Sequence, residues 1–326
     1  MEPSLQQAAP LPTQPVQPAP APKVGAFKRG WLLTKSSWHV WRLDKELTSL
    51  PLISFLVSLI VLIPVGLLVF ATTDLQSSKQ LTEQTGDVVY QSSLTGWEQG
   101  LIVFGVALIT TIIANFFSGA VIYGATQRFR GGDPTVRTSI AGAAHKFRPL
   151  ALFSLMMVTV GLVLQFLEER LPFAGRIAAY LFDAAWNIAN VFAIPVIVLS
   201  ETNVNPIQAT KQSVQVIKKV WGEGIVVSLG IGIIAAITYF VYALTFIVAG
   251  SVVFGLSGDV SMVPLYAIGA VGILGFVALI LVFSTLSAIV KAALYQYAIT
   301  GQAPGSFDKE LLRSSMTPKK ASKIFK

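Results

Sequence analysis

The feature that most constrains the fold is a series of apolar runs, several of them long enough to cross a bilayer. Crossing a hydrocarbon core of about 30 Å takes roughly 20 apolar residues in a helix. Six such runs are predicted to be transmembrane helices, at residues 50–70, 100–125, 149–167, 177–199, 224–255 and 264–292. A transmembrane β-barrel would show short segments of alternating polarity instead. The sequence therefore predicts an all-α, polytopic membrane protein.

The composition agrees with a membrane protein, and two prolines are predicted to affect the shape of the spans. Charged residues make up only 12% of the chain, and an ordinary soluble domain has about twice that share. Pro64 lies in the interior of the first predicted span and Pro195 in the interior of the fourth. A proline removes one helical hydrogen bond and clashes with the preceding turn, so each is predicted to kink its helix.

Lysine and arginine are distributed unevenly between the two sides of the predicted spans. Of the 24 such residues, 21 fall in the N-terminal segment, the second–third loop, the fourth–fifth loop and the C-terminal end. The other three loops contain Lys79, Arg170 and Arg176, against seven acidic residues. Because cytoplasmic loops carry the excess of positive charge, both termini are predicted to be cytoplasmic, in the cell membrane. The same distribution explains the net charge of +8 without nucleic acid.

Three regions are predicted along the chain. Residues 1–26 are rich in Pro, Gln and Ala and are predicted to be a disordered cytoplasmic tail. Residues 27–300 form the membrane domain, and residues 301–326 form a basic cytoplasmic tail. Residues 28–48 mix tryptophans with lysines and arginines, which is typical of a helix at the level of the lipid headgroups.

Two cytoplasmic loops show the pattern of amphipathic helices that lie in the plane of the membrane. In residues 206–221 the polar residues fall on one arc of a helical wheel: Gln208, Lys211, Gln212, Gln215, Lys218 and Lys219. In residues 134–148 apolar residues recur at helical spacing: Val136, Ile140, Ala143 and Phe147. The loops open with Asp133-Pro134 and Asn205-Pro206, where Asp or Asn can cap a helix and proline fits its first position.

The two loops indicate an internal repeat, made of one in-plane helix followed by two spans. In each, twelve residues lead from the proline to a lysine, Lys146 or Lys218. The segment before the first span is a candidate for a third copy. Five basic residues of these loops are predicted to contact anionic lipid headgroups: Arg137, Arg148, Lys211, Lys218 and Lys219. Each cation near a membrane surface contributes about 1 kcal/mol to such contacts.

Two stretches of the sequence resemble a known family. FKRGWLLTKSSWHVWRLDKELTSLPLIS contains the run Asp44-Lys45-Glu46-Leu47 before the first span. AAWNIANVFAIPVIVLSETNVNPIQATKQSVQVIKKVWGE carries the other motif residues: Trp186, Pro195, Val196, Glu201, Ser213, Trp221, Gly222 and Glu223. Over about residues 27–300 the chain resembles the domain of unknown function 6159 family of uncharacterised prokaryotic integral membrane proteins. The resemblance implies no catalytic residue, because that family has no assigned activity.

A polar stripe crosses the fourth predicted span. Its four members stand at i, i+3, i+4 and i+7 on one helical face: Asp183, Trp186, Asn187 and Asn190. A carboxylate at the bilayer centre costs about 3 kcal/mol on insertion scales and usually faces protein or water. One interpretation is a polar cavity for an ion or solute, with Asn115 of the second span contributing. The other is packing, by hydrogen bonds between helices and by an ion pair of Asp183 with Arg176.

The sequence offers little that is typical of an enzyme. There is no cysteine, and the only histidines are His39 and His145, so neither a metal site nor a cofactor is expected. Glu168 and Glu169 begin an EExxxR pattern of intramembrane proteases, but Phe173 stands where the arginine is required. No phosphate-binding loop, dinucleotide fingerprint or nucleophile elbow is present.

The sequence favours two functions, and a third, an intramembrane enzyme, has the least support. The first is a non-enzymatic membrane protein that organises or senses the cytoplasmic leaflet through its basic amphipathic helices. The alternative is a transporter or channel for a small solute or lipid that uses the polar stripe. The expected partners are the lipid bilayer and anionic headgroups. A second copy of the chain, or another membrane protein, is left open as a partner.

Overall fold

The computed structural model of the chain describes residues 35–38, 41–42, 46–74, 91–92, 96–220, 224–256, 263–302, 304 and 307. Its main helices are α1 Glu46–Thr72, α2 Gly96–Phe129, α3 Val136–Ala144, α4 Phe147–Arg170, α5 Phe173–Ala189, α6 Ala193–Leu199, α7 Pro206–Val220, α8 Gly224–Leu256 and α9 Val263–Thr300. Two short strands, β1 Thr73–Asp74 and β2 Gln91–Ser92, pair antiparallel in the connection between α1 and α2.

The predicted six-span helical fold is confirmed. Among the described residues, six helical segments are long and apolar enough to cross a membrane: Glu46–Thr72, Gly96–Phe129, Phe147–Arg170, Phe173–Leu199, Gly232–Val253 and Tyr266–Thr300. The fourth of them combines α5 and α6, with an interruption between the two helices. The first span continues through Pro64 as a single helix. The chain is thus a multi-pass helical membrane protein.

The buried core lies at one end of the bundle. It combines the starts of α1 and α4, the ends of α2 and α9, the helix α6, and the short helices α3 and α7. Leu50, Phe192 and Ile289 are almost completely buried there. Consecutive spans run in opposite directions, so the two described basic loops, with Arg137 and Arg148 in one and Lys211 and Lys218 in the other, also lie at this end, which we call the basic end. Toward the opposite end, large apolar side chains such as Phe173 and Tyr266 are exposed.

Helix α3 packs tightly against the end of α2 through two glycines. A Cβ atom added to Gly124 of α2 would lie 2.7 Å from Leu47 Cδ2 and would also collide with Ser139 of α3. A Cβ added to Gly142 of α3 would collide with the ring of Tyr123. Only residues without a side chain allow this approach, so the two glycines bring α3 against the core.

The N-terminus of α3 differs from the sequence prediction. The N-cap is Thr135, and Asp133 does not cap the helix. Thr138 N–H donates to Thr135 Oγ1 at 3.2 Å, and Thr135 N–H donates to Thr138 Oγ1 at 3.0 Å. Asp133 forms an ion pair with Arg128 at 2.7 Å instead. Asp and Thr both cap helices well. Here the carboxylate of Asp133 pairs with the guanidinium of Arg128, and Thr135 caps the helix.

The N-terminus of α7 agrees with the sequence prediction. Gln208 N–H donates to Asn205 Oδ1 at 2.8 Å, while Asn205 N–H donates to Gln208 Oε1 at 3.3 Å. Pro206 is the first residue of the helix. A backbone N–H at this position has no acceptor within the helix, so its absence costs no hydrogen bond. This reciprocal pair fixes the direction in which α7 leaves the preceding loop.

Several predicted features fall outside the described residues. These are the tail at 1–26, nearly all of 301–326, and the motif residues Asp44, Lys45, Trp221, Gly222 and Glu223. Residues 35–38 and 41–42 are helical and precede α1, and the Trp41 indole N–H donates to Thr48 Oγ1. The internal repeat and the placement of α3 and α7 in the plane of the membrane stay predictions.

We expect Gly124→Ala to destabilise the protein by about 1–3 kcal/mol, because the new methyl group overpacks the contact with Leu47 and Ser139. The matched control is Gly105→Ala in the same helix, where nothing lies within 4 Å of the added carbon. That control should gain up to about 1 kcal/mol from the better helix propensity of alanine. Unfolding by dodecyl sulfate titration measures both. Equal shifts in the two variants would contradict the packing of α3 on α2.

Candidate functional site

The fourth span is interrupted at Asn190, the last residue of the polar stripe. Helix α5 ends at Ala189 and α6 begins at Ala193, so Asn190 is the C-cap of one helix and Phe192 the N-cap of the next. Pro195 has no N–H for the carbonyl of Val191, and its ring would clash with that carbonyl in a continuous helix. The proline therefore breaks the span, which is a stronger distortion than the predicted kink.

Helix α7 supplies the hydrogen bonds that the interruption requires. Thr210 Oγ1 donates to Asn190 Oδ1 at 2.7 Å, and Asn190 Nδ2 donates to the carbonyl of Trp186 at 2.9 Å. The backbone N–H of Phe192 donates to Ser213 Oγ at 3.1 Å. Ser213, Phe192 and Asn190 are all buried. The break is thus a small polar network, closed by two hydroxyls from a different helix.

The remaining stripe residues lie earlier in α5. Asn187 Nδ2 donates to Asp183 Oδ2 at 3.0 Å, so these two side chains pair within their own helix. The indole N–H of Trp186 is buried and has no hydrogen-bond partner among the described residues. The Trp186 ring stacks on Phe182, with 6.5 Å between the ring centroids. Asn187 is exposed, and Asp183 is half-buried.

Asn115 does not join the polar stripe. Its Nδ2 donates to Ser154 Oγ at 2.9 Å, and this hydrogen bond connects α2 to α4. In the described part of the chain, no ion pair links Asp183 to Arg176. The stripe residues therefore come together around Asp183–Asn187 and around Asn190, while Asn115 belongs to a separate contact between helices.

Two cavities lie elsewhere in the bundle. One, of about 480 Å³, is an apolar space between α8 and α9 beside Tyr242 and Phe246. The other, of about 200 Å³, lies between α1, α2 and α9 and is lined partly by serines. Neither is lined by a member of the polar stripe. No three His, Asp or Glu side chains of the described residues are grouped as a metal site would require.

The predicted lipid-contact residues lie on the surface at the basic end. Arg137, Arg148, Lys211 and Lys218 are exposed, and none forms an ion pair with a residue that the structure describes. The side chain of Lys219 lies outside the described part. On α7 the exposed residues form one arc, which is polar except for the first-turn isoleucine: Ile207, Gln208, Lys211, Gln212, Gln215 and Lys218. The opposite face is buried through Ala209, Ser213, Val216 and Ile217.

Three contacts at the basic end were not predicted from the sequence. Thr210 and Ser213 close the interruption of the fourth span, and Lys146 Nζ donates to the carbonyl of Thr202 at 3.1 Å. The lysine thereby ties the start of α4 to the loop after α6. Thr210 and Ser213 stand three residues apart on the inward face of α7. Polar residues at apolar positions of a helix are the signal that could have identified them.

We expect Ser213→Ala to destabilise the protein by about 1–3 kcal/mol, because the buried N–H of Phe192 loses its acceptor. The matched control is Ser251→Ala in α8, where the exposed hydroxyl donates only to the carbonyl of Ile247 in its own helix. That control should change stability by less than about 0.5 kcal/mol. Dodecyl sulfate titration compares the two. Similar losses for both serines would show that α7 does not hold the interruption.

Comparison with known proteins identifies a family over most of the membrane domain. A family model described as a family of unknown function, DUF6159, matches residues 97–305. The motif quoted above for residues 44–47 lies before the matched region. No curated protein and no solved structure matches the chain. With nearly two thirds of its length covered by the family model, the chain belongs to this family of unknown function.

Proposed function

We propose that the protein is a non-enzymatic component of the cell membrane that organises or senses the cytoplasmic leaflet by binding anionic lipid headgroups at its basic end. Both termini are then cytoplasmic. The observation that carries the proposal is the outward face of α7. Its exposed arc contains lysines and glutamines beside Ile207, and no acidic residue occurs between Glu201 and Glu223.

The geometry of α7 supports this proposal because the direction of its lysines is fixed. The inward face of the helix is buried against the core, and Ser213 bonds to the backbone of the fourth span. Lys211 and Lys218 stand two turns apart on the opposite face, and both are exposed. Arg137 of α3 and Arg148 of α4 add exposed cations at the same end.

We expect the double variant Lys211→Gln, Lys218→Gln to bind phosphatidylglycerol roughly 25-fold more weakly, since each surface cation contributes about 1 kcal/mol. Native mass spectrometry in detergent, with titrated phosphatidylglycerol or phosphatidylcholine, measures the preference. The matched control, Arg170→Gln with Arg176→Gln, removes the same charge from the opposite end. The preference should also weaken at high salt. An unchanged preference in the lysine variant would refute the proposal.

Transport along the polar stripe remains the second candidate, and one observation favours it. Interrupted helices at membrane depth are typical of the binding sites of transporters, and the fourth span is interrupted at Asn190. The buried indole N–H of Trp186 has no partner among the described residues, so it is free to donate to a solute. Against this, the groups of Asn190 are already bonded within the protein.

Water access to Asn187 distinguishes the two functions. Transport requires that a membrane-impermeant thiol reagent modify the Asn187→Cys variant, because the stripe would line a hydrated path. The chain contains no native cysteine, so every labelled thiol is the introduced one. Gln212→Cys on the exposed arc of α7 is the positive control. We expect no modification of the Asn187→Cys variant under the leaflet-binding function, and rapid modification would favour transport.

A further inference from the structure

The smaller cavity brings together three serines from three different spans. Ser54 of α1, Ser118 of α2 and Ser284 of α9 line a space of about 200 Å³, together with apolar residues of the same helices. Taking about 30 Å³ per water molecule, this space has the volume of roughly six or seven waters. The lining comes from the halves of α1, α2 and α9 that lie closest to the basic end.

The three hydroxyls differ from other hydroxyls nearby. Thr126, Ser154 and Thr285 each donate to the carbonyl one turn earlier in their own helix, which satisfies them in an apolar environment. Ser54 and Ser118 form no hydrogen bond with any residue that the structure describes, and the same holds for Ser284. Hydroxyl groups away from bulk water need a partner, and these three face a common space that a ligand can fill.

A cation stands next to this cavity along α9. Lys291 is the only charged residue in that helix. With about 100° of rotation per residue, it falls within the arc of α9 that lines the cavity through Ile280, Leu281, Ser284 and Ala288. Helical side chains lean toward the N-terminus of their helix, so the lysine is directed back toward Ala288 and the cavity.

Lys291 has no anionic partner in the described part of the chain. Its neighbours Val290, Ala292, Ala293 and Leu294 are buried in the core, while Lys291 itself is partly exposed. An ionisable group within a span usually pairs with another group and often marks a functional site. A lysine without a carboxylate, beside three free hydroxyls, matches a ligand that carries a negative charge and several oxygen acceptors.

We propose that Ser54, Ser118, Ser284 and Lys291 form a binding site for one anionic phospholipid from the leaflet at the basic end. The ammonium of Lys291 pairs with the phosphate, and the serine hydroxyls donate to the ester carbonyls. Seven residues separate Ser284 from Lys291, or about 10 Å along the helix. The serines therefore lie deeper than the lysine, as the esters of a phospholipid lie deeper than its phosphate. The exposed side chain of Ser284 marks the side from which a lipid enters.

This site is separate from the exposed arc of α7, so it does not depend on the function proposed above. Its ligand makes contacts inside the bundle, whereas Lys211 and Lys218 point away from the core. The lysine variant of α7 is therefore expected to leave lipid binding in the smaller cavity unchanged. If the lipid preference survives the α7 lysine substitutions, the function proposed above fails; if the protection of the cavity survives Lys291→Gln, the present proposal fails.

Labelling of single-cysteine variants tests whether the smaller cavity is open to small molecules. Ser54→Cys, Ser118→Cys and Ser284→Cys are nearly isosteric, and there is no native thiol. In phosphatidylcholine vesicles we expect an uncharged, water-soluble maleimide to modify at least Ser118→Cys. Ser154→Cys is the negative control because Ser154 is fully buried and hydrogen-bonded, and Gln212→Cys normalises for surface reactivity. The proposal is overturned if none of the three cavity positions is labelled.

Adding phosphatidylglycerol tests the ligand. We expect the normalised labelling of the Ser118→Cys variant to slow at least about fivefold, the factor that one cation near the surface gives. Lys291→Gln should abolish the slowing, and Lys291→Arg should keep it. Each Lys291 variant is also made together with Ser154→Cys, and the absence of labelling there verifies that the variant is folded. Lys291→Met replaces any variant that fails this check. The proposal is overturned if the slowing survives Lys291→Gln, or if inorganic phosphate slows labelling and the lipid does not.

Discussion

A helix that stops inside an apolar bundle leaves backbone groups that water does not reach, and each costs several kcal/mol if it stays unpaired. The rest of the basic end depends on how this constraint is met at residues 190–192. Helix α7 meets it, with Thr210 bonded to Asn190 and Ser213 bonded to the backbone of Phe192. The helix is therefore a structural part of the fourth span as well as a candidate surface element. Because its inward face is committed to these contacts, the direction of its lysines is set by the core.

The position of the core also follows from the difference between the hydrocarbon and the water interface as surroundings for apolar side chains. Lipid tails are about as apolar as leucine side chains, so burying one apolar helix against another gains little within the hydrocarbon. Near the interface the same burial removes apolar surface from water and is favourable. The large buried side chains accordingly cluster where α3, α6 and α7 meet the ends of the spans. Close contacts at Gly124 and Gly142 add the van der Waals packing that a membrane protein needs.

Periodicity and composition were sufficient to predict the spans and the exposed arc of α7, because both follow from helical geometry and apolar length. Contacts between distant parts of the chain could not be predicted in this way. The sequence suggests Asn115 as a contributor to a polar cavity with the stripe, and in the structure its Nδ2 donates to Ser154 Oγ on another helix. Nothing local to Asn190 indicates that Thr210 is its partner. The cap of α3 shows the same limit on a smaller scale, since Arg128 draws Asp133 away from the helix terminus.

Asp183 in the fourth span and Lys291 near the end of the sixth are stabilised to different degrees. A charged group in the membrane costs about 3 kcal/mol on insertion scales, and a hydrogen bond to a charged group returns about 1.5–3 kcal/mol. Asp183 has such a bond from Asn187, so most of its cost is offset within one helix. Lys291 has no counterpart among the described residues. The lysine is partly exposed and lies toward the basic end, where headgroups or a bound anion can offset its cost. For this reason the cation in α9 tells more about function than the carboxylate in α5, although the carboxylate is the more conspicuous residue in the sequence.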